Sequence, residues 1–231
     1  MLTDIYCKDT YGLFETSIVQ QTAFWSEVKK KLGIESIAID FKCQKEYLKQ
    51  DQNVPHDIQS DVLLVIQRLD RNHCIAYVPY GPELSPQQEF QGRLLEELSE
   101  SLRPFLPKGC IMIRYDLCWE SLWAKDKSYY NEKGEWNGPP DKKSQELRFN
   151  FNTQYWNLFK AQTNILPSNT LYLNLKPSTE DILGQMKPKT RYNIGLSKRK
   201  GVEVRHAGID ELDVWYELYK ETAIRNGIYL H

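Results

Sequence analysis

The spacing of apolar residues predicts one helix and three strands in the first eighty positions. In "QTAFWSEVKKKLGI", Phe24, Val28 and Leu32 recur at helical spacing, and Gly33 follows where a C-terminal cap is expected. The next apolar runs are "SIAIDF", "DVLLVIQRL" and "HCIAYVPYGP", separated by turn-forming residues. The stretch from Ser36 to Pro82 is therefore predicted to form three strands in meander order.

A second helix and a fourth strand follow. Ser85-Pro86 is predicted to begin a helix that is closed by Pro104. Its apolar stripe consists of Phe90, Leu94, Leu95, Leu98 and Leu102. The run "CIMIRYDLCW" is apolar enough for an interior strand, in which Arg114 and Asp116 point to the same face. Residues 124–145 are rich in Gly, Pro, Asn and Lys and predict an exposed insertion, after which order resumes in "LRFNF" and "QYWNLFK".

A change of composition near residue 163 predicts two domains, residues 1–163 and 164–231. The run "LPSNTLYLNL" is predicted to be the first strand of the second domain. Ser178 with Asp181 forms a capping-box-like helix start, and Pro188 suits the first turn of another helix. This mixture of elements indicates an α+β protein with a mixed sheet. Too few strands remain after residue 164 to build a sheet, so we expect the second domain to be incomplete in this chain.

The overall charge is balanced, so any basic site must be local. The chain has 30 Lys and Arg against 31 Asp and Glu, with 41% hydrophobic residues, as expected for a folded soluble protein. Its five cysteines are widely spaced and it has only four His, so neither a disulfide framework nor a zinc site is predicted. The N-terminus lacks a signal-peptide pattern and no stretch approaches the ~20 apolar residues of a membrane span. We therefore expect a cytoplasmic protein.

Residues 187–204, "KPKTRYNIGLSKRKGVEV", concentrate Lys and Arg on one predicted helix. At about 100° per residue, Arg191, Gly195 and Lys198 stack on one face. Arg199 lies beside them, and Tyr192 adds a hydroxyl. The missing side chain at Gly195 would let an anion approach the backbone closely, and Arg can bind phosphate through two parallel hydrogen bonds. Charge alone leaves two interpretations open: a solvated basic surface, or a site for a nucleotide-linked substrate or RNA.

Several segments are similar to those of one known family. They are "LPSNTLYLNLKPSTEDILGQMKPKTRYNIGLSKRKGVEV" with "WYELYKETAIRNG", then "QQTAFWSEVKKKLG", "AYVPYGP" and "IRYD". In sequence and order they resemble the FemABX family of peptidoglycan bridge-forming aminoacyltransferases, and they span nearly the whole chain. The insertion at 124–145 is the least typical part.

The resemblance implies two tandem domains of the acyl-CoA N-acyltransferase (GNAT) type, arranged about a cleft for the cell-wall precursor. It implies an enzyme that moves glycine, alanine or serine from aminoacyl-tRNA to the peptide-stem amine of a peptidoglycan precursor. The tRNA is then the donor substrate, and no further cofactor is expected. The acceptor would be UDP-linked or lipid-linked, and the lipid-linked form would bring the enzyme to the inner membrane surface.

The resemblance also implies site residues. Lys29 would bind the precursor's phosphates, together with Arg199 or Arg191. The cleft would be lined by Tyr80, Gly81 and Pro82, and we add Tyr192 and Lys198 from the basic helix. Arg114 is a further substrate contact, although a salt bridge to Asp116 is an alternative. An aminoacyl ester is already activated, so the enzyme supplies mainly proximity and charge stabilisation, and Asp116 is our candidate for the proton acceptor. No metal is expected.

Two other functions are considered. An N-acetyltransferase would bind the pyrophosphate of acetyl-CoA with a Gln/Arg-x-x-Gly-x-Gly/Ala turn at a helix N-terminus, and no such turn occurs in the sequence. A non-catalytic RNA-binding module would use the basic helix and the loop residues Tyr129 and Tyr130. A net charge of -1 and the lack of a known RNA-binding signature argue against it.

Overall fold

The computed structural model describes residues 1–49, 57–167, 170 and 173–228. The chain divides into two compact units, Met1–Asn169 and Thr170–His231, and each is described by itself. The first unit contains β1 (Leu2–Lys8), α1 (Ala23–Lys31), β2 (Ser36–Cys43), β3 (Ile58–Arg68), β4 (Cys74–Pro79), α2 (Gln91–Leu102), β5 (Cys110–Asp116) and α3 (Lys142–Asn150). The second contains α4 (Thr179–Gln185), α5 (Pro188–Arg199) and α6 (Leu212–Asn226). The predicted α+β class is confirmed.

The five strands form one mixed sheet in the order β1-β2-β3-β4-β5. Neighbours from β1 to β4 are antiparallel, and β4 and β5 run parallel. The meander predicted between Ser36 and Pro82 is confirmed as β2, β3 and β4. The interior position predicted for "CIMIRYDLCW" is wrong for the described sheet, because β5 is its edge strand. Ile111 and Met112 are accordingly 58% and 49% exposed.

Alternation along the strands gives the sheet two covered faces. One face packs against α2. Strand side chains on that face and three leucines of the helix form the main core: Ile39, Phe41, Val62, Leu64, Ile66, Ala76 and Val78 from the strands, with Leu94, Leu98 and Leu102 from α2. The opposite face carries the buried side chains of Ala38, Leu63, Val65 and Tyr77, and α1 packs on β2 and β3. Burial of both faces explains why β3 and β4 read as nearly continuous apolar runs.

The helix α1 ends before Gly33, as predicted, and its N-terminus is capped by a residue that the prediction did not name. Thr22 caps the N-terminus by accepting a hydrogen bond from the Trp25 N–H. Gly33 follows the last turn with a φ of 74°, a conformation that glycine adopts without a steric penalty.

The helix predicted from Ser85-Pro86 begins later, at Gln91. Pro86 forms a β-bridge with Leu48, and the side chain of Gln87 donates to the carbonyls of Glu46 and Leu48. These long-range bonds hold the segment extended, so the helix cannot start there.

The predicted insertion at 124–145 is partly ordered. Tyr130 and Trp136 form a β-bridge, and α3 begins at Lys142, inside the predicted insertion. The carboxylate of Asp141 caps α3, and its hydrogen bonds from the Ser144 side chain and N–H lower the pKa of Asp141. The "LRFNF" segment lies in α3 and the turn after it, whereas "QYWNLFK" forms neither helix nor strand.

The strand β1 was not predicted from the sequence. It is an edge strand with mostly exposed or half-buried residues, so "LTDIYCK" shows little apolar alternation. Its register with β2 shifts between Thr3 and Tyr6, where Asp4 has a φ of 50°.

The second unit confirms the helix starts predicted around the basic element. Ser178 caps α4, Pro188 is the first residue of α5, and Gly201 follows α5 with a φ of 76°. The predicted strand "LPSNTLYLNL" includes residues 168, 169, 171 and 172, which lie outside the described residues. None of the helices described in either unit is long and apolar enough to cross a bilayer. The predicted domain limits and the incompleteness of the second domain stay predictions.

Candidate substrate site

The carboxyl ends of the parallel strands β4 and β5 bring together several predicted site residues of the first unit. The register aligns Tyr77 with Arg114 and Pro79 with Asp116, so these four residues share one face of the sheet. The segment Tyr80–Pro82 follows β4 directly. The carboxyl ends of parallel strands are a common position for ligands.

Asp116 is held through one of its two carboxylate oxygens. The Tyr77 hydroxyl and the Leu166 N–H donate to Oδ2 at 2.8 and 2.9 Å. Burial and this hydrogen bond raise the pKa of Tyr77 well above its usual range, so the phenol remains a donor. The second oxygen, Oδ1, makes no hydrogen bond to the residues described, and it is the oxygen that could take a proton.

Arg114 forms no salt bridge with Asp116. One guanidinium nitrogen donates to the carbonyl of Thr163, and Nε is buried without a partner among the described residues. The salt bridge that the sequence leaves open is therefore not formed. Because Nε is buried, only the outer nitrogens of the guanidinium could reach an anionic or carbonyl oxygen of a ligand.

The turn after β4 packs on a residue that sequence reasoning missed. The side chain of Gln21 is only 4% exposed, donates to the Pro79 carbonyl at 2.6 Å and accepts from the Leu63 N–H at 2.7 Å. A Cβ added at Gly81 would lie 2.9 Å from Gln21 Nε2. In the same turn Tyr80 has a φ of 50°, and the Gly81–Pro82 peptide is cis. The local sequence gives no signal for Gln21, because its partners are 42 and 58 residues away.

Lys29 lies in the last turn of α1, with its ammonium 4.6 Å from the centre of the Trp25 ring. The nearby Glu27 carboxylate is 3.6 Å from the Lys30 ammonium, and it also raises the pKa of Tyr11 through hydrogen bonding and charge. No carboxylate in the described part of the chain pairs with Lys29. Lys29 is half-buried and has no acidic partner among the described residues, so its ammonium can bind an anionic ligand.

The cations of the basic helix α5 lie in two environments, and Arg191 is bound within the second unit. Arg191 Nη1 donates to the carbonyls of Leu183, Gly184 and Met186 at 3.3, 3.0 and 2.7 Å, so this side chain joins α5 to the end of α4. These bonds occupy one of its nitrogens.

The other cations of α5 are exposed. The Arg199 guanidinium is 5.7 Å from the centre of the Tyr192 ring, and Lys198 precedes it on the same turn. Neither has an acidic partner within residues 173–228. A Cβ at Gly195 would meet nothing within 4 Å, so there is open space at this position. The residues described contain no group of three His, Cys, Asp or Glu that could hold a metal ion.

Comparison with known proteins gives a family match over nearly the whole chain. The family model of the FemAB family matches residues 13–231. The match includes the strand ends of the first unit and the basic helix of the second. No curated protein matches the chain.

Proposed function

Since this chain belongs to the FemAB family, whose members are transferases in peptidoglycan synthesis, we propose that it transfers an amino acid from aminoacyl-tRNA to a peptidoglycan precursor. The family match over residues 13–231 is the observation that carries the proposal. The transferred residue is glycine, alanine or serine, and the acceptor is the peptide-stem amine of the UDP-linked or lipid-linked precursor. The fold proposed with this function is a pair of GNAT-like domains. The reaction takes place in the cytoplasm, at the inner membrane surface if the acceptor is lipid-linked.

The proposed reaction is aminolysis of an activated ester. The stem amine attacks the ester carbonyl of the aminoacyl-tRNA, the C–N bond forms, and the bond to the tRNA ribose oxygen breaks. Asp116 Oδ1 takes the proton from the amine, and the departing ribose oxygen takes up a proton. Because the ester is already activated, positioning of the two substrates is the main task of the protein.

Cations of each unit are proposed to bind phosphate groups of the precursor. Lys29 is the favoured ligand in the first unit and Arg199 in the second, because neither has an acidic partner among the residues described. Arg191 is less favoured because Nη1 is already bound to the end of α4. Lys198 and Tyr192 flank Arg199 on the same helix. In the first unit, Arg114 and the Tyr80–Pro82 turn are proposed to contact the acceptor near Asp116.

A matched pair of variants tests the phosphate contact of α5. In Arg199→Gln the guanidinium is lost from the open surface. In the control Arg205→Gln it is lost from an arginine already paired with Glu211. A charge-assisted hydrogen bond contributes about 1.5–3 kcal/mol, so the dissociation constant of UDP-linked precursor, measured by titration calorimetry, should rise about tenfold or more in Arg199→Gln. It should be unchanged in Arg205→Gln. Equal affinity of the two variants contradicts the assignment of Arg199.

A further inference from the structure

We propose that Gln21 is a positioning residue for the acceptor, because its buried amide holds the Tyr80–Pro82 turn in place at the end of β4. This inference rests on the proposed function, in which that turn lines the acceptor site. Gln21 itself touches no substrate. Its effect passes through the turn.

The amide of Gln21 completes the hydrogen bonding between β3 and β4 where the strand ladder stops. The last aligned pair is Val65 with Tyr77, and two residues further Leu63 would lie opposite Pro79. Proline has no N–H to donate, so the ladder cannot continue there. Gln21 Oε1 accepts from the Leu63 N–H at 2.7 Å, and Nε2 donates to the Pro79 carbonyl at 2.6 Å and to the Leu63 carbonyl at 3.4 Å. One side chain thus satisfies three buried backbone groups.

The Tyr80–Pro82 turn packs directly against the same amide. A Cβ at Gly81 would lie 2.9 Å from Gln21 Nε2 and 3.1 Å from Cδ. A side chain at Gly81 would therefore push on the Gln21 amide, and a shift of the amide would displace the turn. The backbone of Tyr80 also depends on its surroundings, since a φ of 50° is unfavourable for a tyrosine unless the neighbouring structure imposes it.

Gln21 also connects the turn to the helix of Lys29. It is the last residue of the short 3-10 helix Val19–Gln21 and directly precedes Thr22, the N-cap of α1. The bonds of its side chain therefore fix the start of α1 against the middle of β3 and the end of β4. Two elements that are proposed to bind the precursor are held together by one amide.

The test compares two substitutions of the same chemistry in the full chain. Gln21→Glu replaces the donor to the Pro79 carbonyl by an oxygen. Asn150→Asp is the matched control: Asn150 is also 4% exposed, donates to the carbonyls of Glu146 and Leu158 and accepts from the Leu158 N–H. It lies on α3, which packs against α2. Both variants lose stability because both bring an oxygen against buried carbonyls.

The kinetic constants of transfer to UDP-linked precursor separate positioning from stability. We expect Gln21→Glu to raise the KM for the precursor about tenfold or more, because small displacements of binding groups are costly, with kcat nearly unchanged. Asn150→Asp should leave KM unchanged at a comparable loss of melting temperature. Gly81→Ala is a second variant, needed if Gln21→Glu does not fold, and it should raise KM in the same way because its methyl group would press on the Gln21 amide.

The outcomes distinguish this inference from the proposed function. If the unaltered chain transfers nothing to the precursor, the proposed function fails and the role of Gln21 fails with it. If transfer occurs but Gln21→Glu and Gly81→Ala have the KM of Asn150→Asp, the inference about Gln21 alone is overturned. A raised KM in Gln21→Glu but not in Asn150→Asp supports it, and Gly81→Ala takes the place of Gln21→Glu in this comparison if Gln21→Glu does not fold.

Discussion

Replacing Lys29 by Met tests the phosphate site of the first unit with little change to the fold. The Lys29 ammonium lies 4.6 Å from the Trp25 ring and has no acidic partner among the residues described. Met keeps an unbranched stem over that ring and removes only the charge. The cation–π contact at such a partly exposed position contributes about 0.5–1 kcal/mol to stability, so the melting temperature should fall only slightly.

The expected loss of binding is larger. A hydrogen bond from an ammonium to a phosphate contributes about 1.5–3 kcal/mol. At 1.4 kcal/mol for each factor of ten, this corresponds to a rise of about 10- to 150-fold in the dissociation constant. Titration calorimetry with the UDP-linked precursor measures it, with melting temperature recorded for each variant.

Lys30→Met is the control for general electrostatic attraction. Lys30 is on the same helix, its side chain is 75% exposed, and it is 3.6 Å from Glu27. Exposed ion pairs of this kind contribute little to stability, and this side chain is proposed to contact no substrate. Affinity should therefore be nearly unchanged in Lys30→Met. If the two variants bind the precursor equally, whether both are weak or both are tight, Lys29 is not a specific phosphate ligand.

Three further predictions concern the strand ends and the core. Asp116→Asn keeps an oxygen for the bonds from Tyr77 and Leu166 but cannot take a proton, so kcat of transfer should fall about 100-fold or more with KM preserved; an unchanged kcat rules out this proton acceptor. In Gly92→Ala the new Cβ would lie 1.6 Å from the Phe149 carbonyl oxygen, so α2 and α3 must move apart. The free energy of unfolding, from urea titration, should fall by about 1–3 kcal/mol, and a smaller loss would contradict the close packing. The raised pKa of Tyr77 means that the unfolded chain releases the phenolic proton first, so stability should fall as pH rises above the ordinary value of 10.0. The free energy of unfolding of Tyr77→Phe, from urea titrations between about pH 9 and pH 11, should fall less steeply with pH than that of the unaltered chain. The same pH dependence in both chains would contradict the raised pKa.

The elements that the sequence predicted correctly are those whose signals are local. The apolar runs of β2, β3 and β4 are bounded by turn residues, and α4 and α5 carry their own cap at Ser178 and first-turn proline at Pro188. The errors arose where distant partners decide the structure. Bonds from Gln87 to residues 46–48 delay the start of α2. The strand β1 has little apolar alternation of its own and is recognised only by its pairing with β2.

The same distinction applies to the site. Alternation along β5 correctly predicted that Arg114 and Asp116 share a face. It could not predict that Tyr77 and Leu166 bind Asp116, because those contacts depend on the parallel pairing of β4 and β5 and on a segment fifty residues away. Gln21 was missed for the same reason. Its three backbone partners are on β3 and β4, and nothing in "QQTAFW" marks it as buried.

Transfer itself is the most direct measurement. The chain is incubated with UDP-linked precursor and, in parallel, with tRNA charged with glycine, alanine or serine, and the precursor is then weighed by mass spectrometry. The proposed function predicts a gain of one aminoacyl residue on the stem peptide with at least one of these tRNAs, and no gain when the tRNA is uncharged. A precursor whose mass is unchanged with every charged tRNA, or that gains an acetyl group from acetyl-CoA instead, contradicts it.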